Sequence, residues 1–114
     1  MYITIEELRR RRACFAQQVR FLATFPEHEY PNGVEVTLDT CLRHSQDFDF
    51  VWAADTFLRG EAWRDFFKAE EEAFAVSVRV GDVLRPMRRA QCYYSVVTAQ
   101  LFFEGVAAME KGRE

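Results

Sequence analysis

The 114-residue sequence predicts a mainly α-helical single domain over residues 1–114, a compact bundle of about five helices with a long apolar C-terminal helix. Three observations carry that expectation. Apolar residues recur at helical spacing over long stretches, as in Trp63, Phe66, Phe67, Ala73, Phe74 and Val78. Residues that start helices, Thr4, Thr37 and Asp47, each precede such a stretch. Hydrophobic residues make up 49% of the chain, with no internal repeat, long linker or low-complexity segment. That is enough to fill one core at this length without a metal or disulfide.

Taken in order, Thr4-Ile5-Glu6-Glu7 fits a capping box, and the spacing predicts a first helix from Ile5 to Phe25 that stops at Pro26. Ile5, Leu8, Phe15, Ala16, Val19, Leu22 and Ala23 would share one face, with Cys14, Phe21 and Phe25 on nearly the opposite side. Residues 26–33 hold two prolines and Asn32-Gly33, which favour a loop. Val34-Glu35-Val36 reads as extended, and Thr37 caps a short helix from Leu38 to about Ser45. Asp47 caps a third helix, Phe48–Leu58, with Gly60 beyond its end. A fourth helix runs from Glu61 to about Val80 and breaks at Gly81-Asp82. The last starts at Arg85 or Pro86 and ends at Lys111. Its polar strip is narrow (Arg89, Gln100, Glu104, Lys111), so it is expected at the centre of the bundle. The alternative is an α+β fold with short strands near 1–5, 34–36 and 74–80.

The formal charge of −3 does not mark a nucleic-acid binder, and Arg9 to Arg12 point in four directions around a helix. Nucleic acid is therefore kept only as an alternative partner, through Arg9, Arg10, Arg11, Arg20, Arg88 and Arg89. Arg12 and Glu70 fall inside apolar arcs, so they are expected to meet or each to contact another polar group. Gln91, Gln100 and Glu104 interrupt the apolar stretch 90–109, and a charge at a bilayer centre costs on the order of 3 kcal/mol. No membrane association is expected.

No catalytic constellation stands out. His28 and His44 are the only histidines, and no glycine pattern suits a phosphate. Cys41 and His44 could supply half a metal site, but paired ligands at recognisable spacing are missing. The expectation is no enzyme activity, no cofactor and no metal. Cys14, Cys41 and Cys92 are widely separated and no leader peptide is read ahead of them, which fits reduced thiols in a cytoplasmic protein.

Eleven Phe, two Trp and four Tyr exceed what a minimal core needs, and exposed rings favour interfaces. On the third helix Phe48 and Trp52 fall outside the arc of Phe50, Val51, Ala54, Phe57 and Leu58. With Phe21, Phe25 and Tyr30 they form the expected protein-binding surface, serving either a homodimer or another protein.

The N-terminal half also resembles a group of small uncharacterised phage and prophage proteins. The residues behind this are Ala13-Cys14, Gln17-Gln18-Val19, Leu22 and Phe25-Pro26, then Gly33-Val34-Glu35-Val36-Thr37 and Asp47-Phe48-Asp49-Phe50-Val51-Trp52-Ala53-Ala54 with Phe57-Leu58. The likeness covers about residues 4 to 58. It implies a mobile-element setting inside a bacterial cell and carries no activity with it. By analogy, the leading expectation is a non-enzymatic inhibitor of a bacterial defence complex such as a CRISPR–Cas effector. The alternatives are a self-associating phage structural or housekeeping protein and a small nucleic-acid-contacting regulator.

Overall fold

Thr4 opens the first helix as its side chain allows: the Glu7 amide donates to Thr4 Oγ1 at 3.0 Å. The helix that follows, α1 (Ile5–Arg10), ends after six residues instead of running to Phe25. Arg12 has φ +57, a left-handed turn, and α2 (Phe15–Thr24) starts only after Cys14. The reason is geometric. At 100° per residue, Leu8 and Phe21 would stand about 140° apart on one straight helix, yet both are buried in the core. Breaking the helix lets each turn inward. The cost is that the part of the Ile5–Ala23 stripe carried by α2 comes to lie outside, with Phe15, Ala16, Val19 and Ala23 all exposed.

In this computed structural model the backbone of residues 1–84 and 87–112 is described, with side chains for 1–79 and 93–112. The remaining elements are β1 (Tyr2–Ile3), β2 (Val34–Glu35), α3 (Leu38–Arg43), α4 (Phe50–Phe57), α5 (Gly60–Leu84) and α6 (Met87–Lys111). The fold is mainly α, with six helices among the described residues, because the first expected helix divides in two. The segments near the start and at 34–36 form a two-stranded antiparallel ladder, with Tyr2 opposite Glu35 and Ile3 opposite Val34. Residues 74–80 are helical.

Thr37 caps α3 as expected, accepting from the Thr40 amide at 3.1 Å. The cap of α4 is Asp49 and not Asp47: the Trp52 amide donates to Asp49 Oδ1 at 3.0 Å. Helix α5 continues through Gly81-Asp82 to Leu84. The expected helix start at Arg85 or Pro86 lies outside the described residues. Along its described length α6 buries one side, Thr98, Ala99, Phe102 and Val106, and exposes Tyr93 and Val96. It is one-sided, not apolar all round, although it does pack against α3, α4 and α5. No helix among the described residues is long and apolar enough to cross a membrane.

The core runs from Ile3, Ile5 and Leu8 through Phe21, Phe25 and Phe48 to Phe57, Phe66 and Phe102. Two glycines serve close approaches. A Cβ on Gly105 would lie 2.6 Å from Leu58 Cδ1, so α6 needs glycine there to seat that side chain. Gly33 has φ +91, and a Cβ on it would stand 2.6 Å from Thr4 Cγ2 and 2.9 Å from the Ile3 carbonyl oxygen. Gly33→Ala is therefore expected to cost about 2–4 kcal/mol through strain and crowding together. Thermal unfolding should show a midpoint lowered by roughly 10–20 °C. An unchanged midpoint would mean that the β1–β2 ladder contributes nothing to the fold.

Candidate protein-binding surface

The five aromatic residues expected to form a contact surface do come together, but inside the protein. Phe25 is the hub, with ring centroids 5.4 Å from Phe21, 5.7 Å from Phe48 and 5.4 Å from Tyr30. Phe48 continues the cluster to Trp52 at 6.1 Å and Phe50 at 5.5 Å, and Phe50 reaches Phe102 at 5.7 Å. Most of these pairs are edge-to-face, an arrangement that rings favour. Phe21, Phe25 and Phe48 are buried, while Tyr30 and Trp52 are half-buried against them. Phe21, Phe25 and Phe48 are core, so the expectation that these three present an outer face is corrected: the break after α1 rolls Phe21 and Phe25 inward. Tyr30 also lines a cleft of about 380 Å³ with Thr4, Leu22, Phe25 and Glu27.

The rings and aliphatics that do reach solvent lie elsewhere. On α5, Phe66, Ala73 and Ser77 are buried where the helix lies along α6. Trp63, Phe67, Phe74 and Val78 occupy a second stripe, turned by about a quarter of a circle. Among described residues, α5 reaches the main core only through Phe66 and Phe67, and α6 only from Ala99 onward. Beyond Phe67 the described part of α5 therefore runs along α6 outside the main core, as one arm of a helical hairpin. There Phe74 is 55% exposed and Val78 47%, with Tyr93 and Val96 of α6 also exposed. The Phe74 ring meets Tyr94 edge-on at 6.0 Å, while Trp63 lies tilted against Phe67 at 4.8 Å and donates to Asp55 Oδ1 at 3.1 Å.

Glu70, expected to meet Arg12, instead accepts from the Tyr94 hydroxyl at 2.5 Å. Arg12 is exposed in the turn after α1. The Tyr94 hydroxyl is pushed up in pKa, first by burial, then by the hydrogen bond and charge of Glu70, with Asp49 adding to it. A hydrogen bond to a charged group contributes about 1.5–3 kcal/mol, so this pair fixes the register of the two arms. The signal for the exposed stripe was present in the sequence. Small Ala73 and Ser77 mark the face that α6 approaches closely, which leaves the larger Phe74 and Val78 beside it.

His28 lies 3.6 Å from Glu29 on the surface; His44 lies 3.4 Å from Asp47 and packs against Phe25. Cys41, one turn from His44, is buried, and burial pushes its thiol up to about 12. Among the described residues no group of three His, Cys, Asp or Glu side chains could hold a metal ion. In the basic run, Arg10 and Arg11 both pair with Glu7, and Arg11 also donates to the Thr56 carbonyl and covers the Phe57 ring. The chain matches no family model, no curated protein and no solved structure.

Phe48→Ala is expected to destabilise the protein by about 3–5 kcal/mol, the usual cost of emptying a buried ring site, as read by denaturant unfolding. An exposed contact residue would show almost no change. Cys41 gives a second expectation, best read in a Cys92→Ser background. Folded protein at pH 8 should expose Cys14 alone to a thiol reagent, with Cys41 reacting only on unfolding. Because folding raises the Cys41 pKa, its contribution is intact below about 9 and is lost as pH climbs toward about 12. Cys41→Ala should flatten that alkaline loss. Rapid labelling of Cys41 in folded protein would contradict its placement in the core.

Proposed function

We propose that this chain is a non-enzymatic protein-binding protein whose contact surface is the α5–α6 hairpin. The observation that carries the reading is the exposure of Phe74 and Val78 one turn apart on an arm that runs outside the main core. Monomeric domains rarely leave contiguous apolar surface open without use, and aromatic anchors dominate the energy of protein interfaces. Exposed Glu71 and Glu72 alongside supply a charged rim. The partner class rests on a different footing. The likeness of residues 4–58 to small phage and prophage proteins favours a bacterial host complex, with a defence effector such as CRISPR–Cas as the leading target and the bacterial cytoplasm as the setting.

A cell-based interference assay tests both parts. Wild-type protein, expressed in bacteria carrying an active CRISPR–Cas system, should restore plating of a targeted phage by at least about tenfold. Phe74→Asp combined with Val78→Asp should abolish that gain and weaken capture of the effector by at least about tenfold, the change given by roughly 1.4 kcal/mol. The thermal midpoint should fall by only a few degrees, because both side chains are about half exposed and lie outside the main core. Full activity in the double variant would rule out the hairpin as the contact surface. No restoration by the wild type would remove the defence effector as target.

A further inference from the structure

We infer that the cleft between α1, α2 and the 26–33 loop binds an organic cation, an ammonium or guanidinium group carried on an aliphatic stem. The cleft holds about 380 Å³, near the lower end of the roughly 300–1,000 Å³ found for small-molecule sites. Phe21, Leu22 and Phe25 give it an apolar lining, and half-buried Tyr30 adds a ring set at 85° to that of Phe25. Surface of this kind takes up methylene groups from water. Glu6 and Glu27 also line the cleft, whereas no Lys, Arg or His does.

Three features set the sign of the ligand. Glu6 and Glu27 are exposed, and no ion pair among the described residues uses either. The end of α2 adds to them. Pro26 has no N–H to give the Leu22 carbonyl, and no other donor among the described residues reaches that oxygen. A helix C-terminus carries partial negative charge and favours a cation beside it, yet the last turn of α2 holds no basic residue. Leu22, Phe25 and Glu27 all lie at this end, so the helix and the carboxylate act in the same direction. The third feature is Tyr30, because the face of an aromatic ring attracts cations. The six-residue α1 also starts at this cleft, but Glu6 in its first turn offsets the partial positive charge of its free amides. An anion would therefore meet charge of its own sign, and a neutral apolar molecule would gain nothing from Glu27. A cation on an aliphatic stem uses both halves of the cleft. That chemistry is shared by a free alkylamine and by a Lys or Arg side chain of another protein.

Two-dimensional NMR of the full chain, titrated with n-butylammonium, n-butylguanidinium and butyrate, tests this. Both cations should give saturable shifts at the amides of Leu22, Tyr30 and Gly33, and butyrate should bind at least about tenfold more weakly. Glu27→Gln should weaken the cations about threefold, the scale of an ion pair open to solvent, with an unchanged thermal midpoint. Asp47→Asn, which removes a carboxylate outside the cleft, should bind them like wild type. End-blocked lysine and arginine separate the two sources. Binding tighter than the free cations assigns the site to a partner's side chain, and binding no tighter assigns it to a free amine. The Phe74→Asp, Val78→Asp protein should bind both cations like wild type, which keeps this site separate from the hairpin surface. The inference is overturned if butyrate binds as well as the cations, if Glu27→Gln binds them undiminished, or if the shifts fall outside the cleft.

Discussion

Leu8 and Phe21 must both reach one core, and the chain between them cannot satisfy both as a straight helix. Everything in the N-terminal half follows from how that conflict resolves. The backbone turns left-handed at Arg12, a conformation that costs a non-glycine residue roughly 1–2 kcal/mol. The turn is secured beside it, where Arg11 bonds Glu7 and the Thr56 carbonyl and lies 5.0 Å from the centre of the Phe57 ring. The end of α1 is thereby held on α4. Once rolled, α2 sends Phe21 and Phe25 inward and Phe15 and Val19 outward, so a single backbone feature both fills the core and creates the uncovered face.

The inward half of that exchange builds the aromatic cluster. Phe25 and Phe48 sit where α2, the 26–33 loop and the residues leading into α4 converge, and Phe50 links them to Phe102 on α6. Rings suit this junction because short, irregular segments supply few side chains, and each ring covers a large area with only two rotatable bonds. Much of the aromatic surplus in the composition is spent here. Of the rings left over, Tyr2 on β1, Phe15 on α2 and Trp63, Phe74 and Tyr93 on the hairpin are exposed.

The fold class was legible in the sequence because it rests on local signals. Thr4 and Thr37 cap the helices they precede, and the long periodic stretches after Gly60 are helices. What was not legible depends on tertiary competition. Asp47 and Asp49 are equally good caps in isolation; burial of Phe48 as a core ring leaves the start of α4 to Asp49. Gly81-Asp82 reads as a break, but propensity is a weak prior against continuous packing of α5 along α6. Helical periodicity also showed two stripes on the first helix without saying which faces inward, since the answer depends on a turn at Arg12 that no glycine marks. The contact surface was misplaced for the same reason. Phe21 and Phe25 were assigned to the surface because one straight helix was assumed.

The hairpin shows how a thin element outside the main core can remain ordered. Ala73 and Ser77 contribute little volume to the seam between α5 and α6, although α6 also packs against α3 and α4. The Tyr94–Glu70 bond supplies direction in place of area, since a hydroxyl and a carboxylate bond only in one register. Phe74 and Val78 stay about half exposed beside that seam, even with the Phe74 ring edge-on to Tyr94.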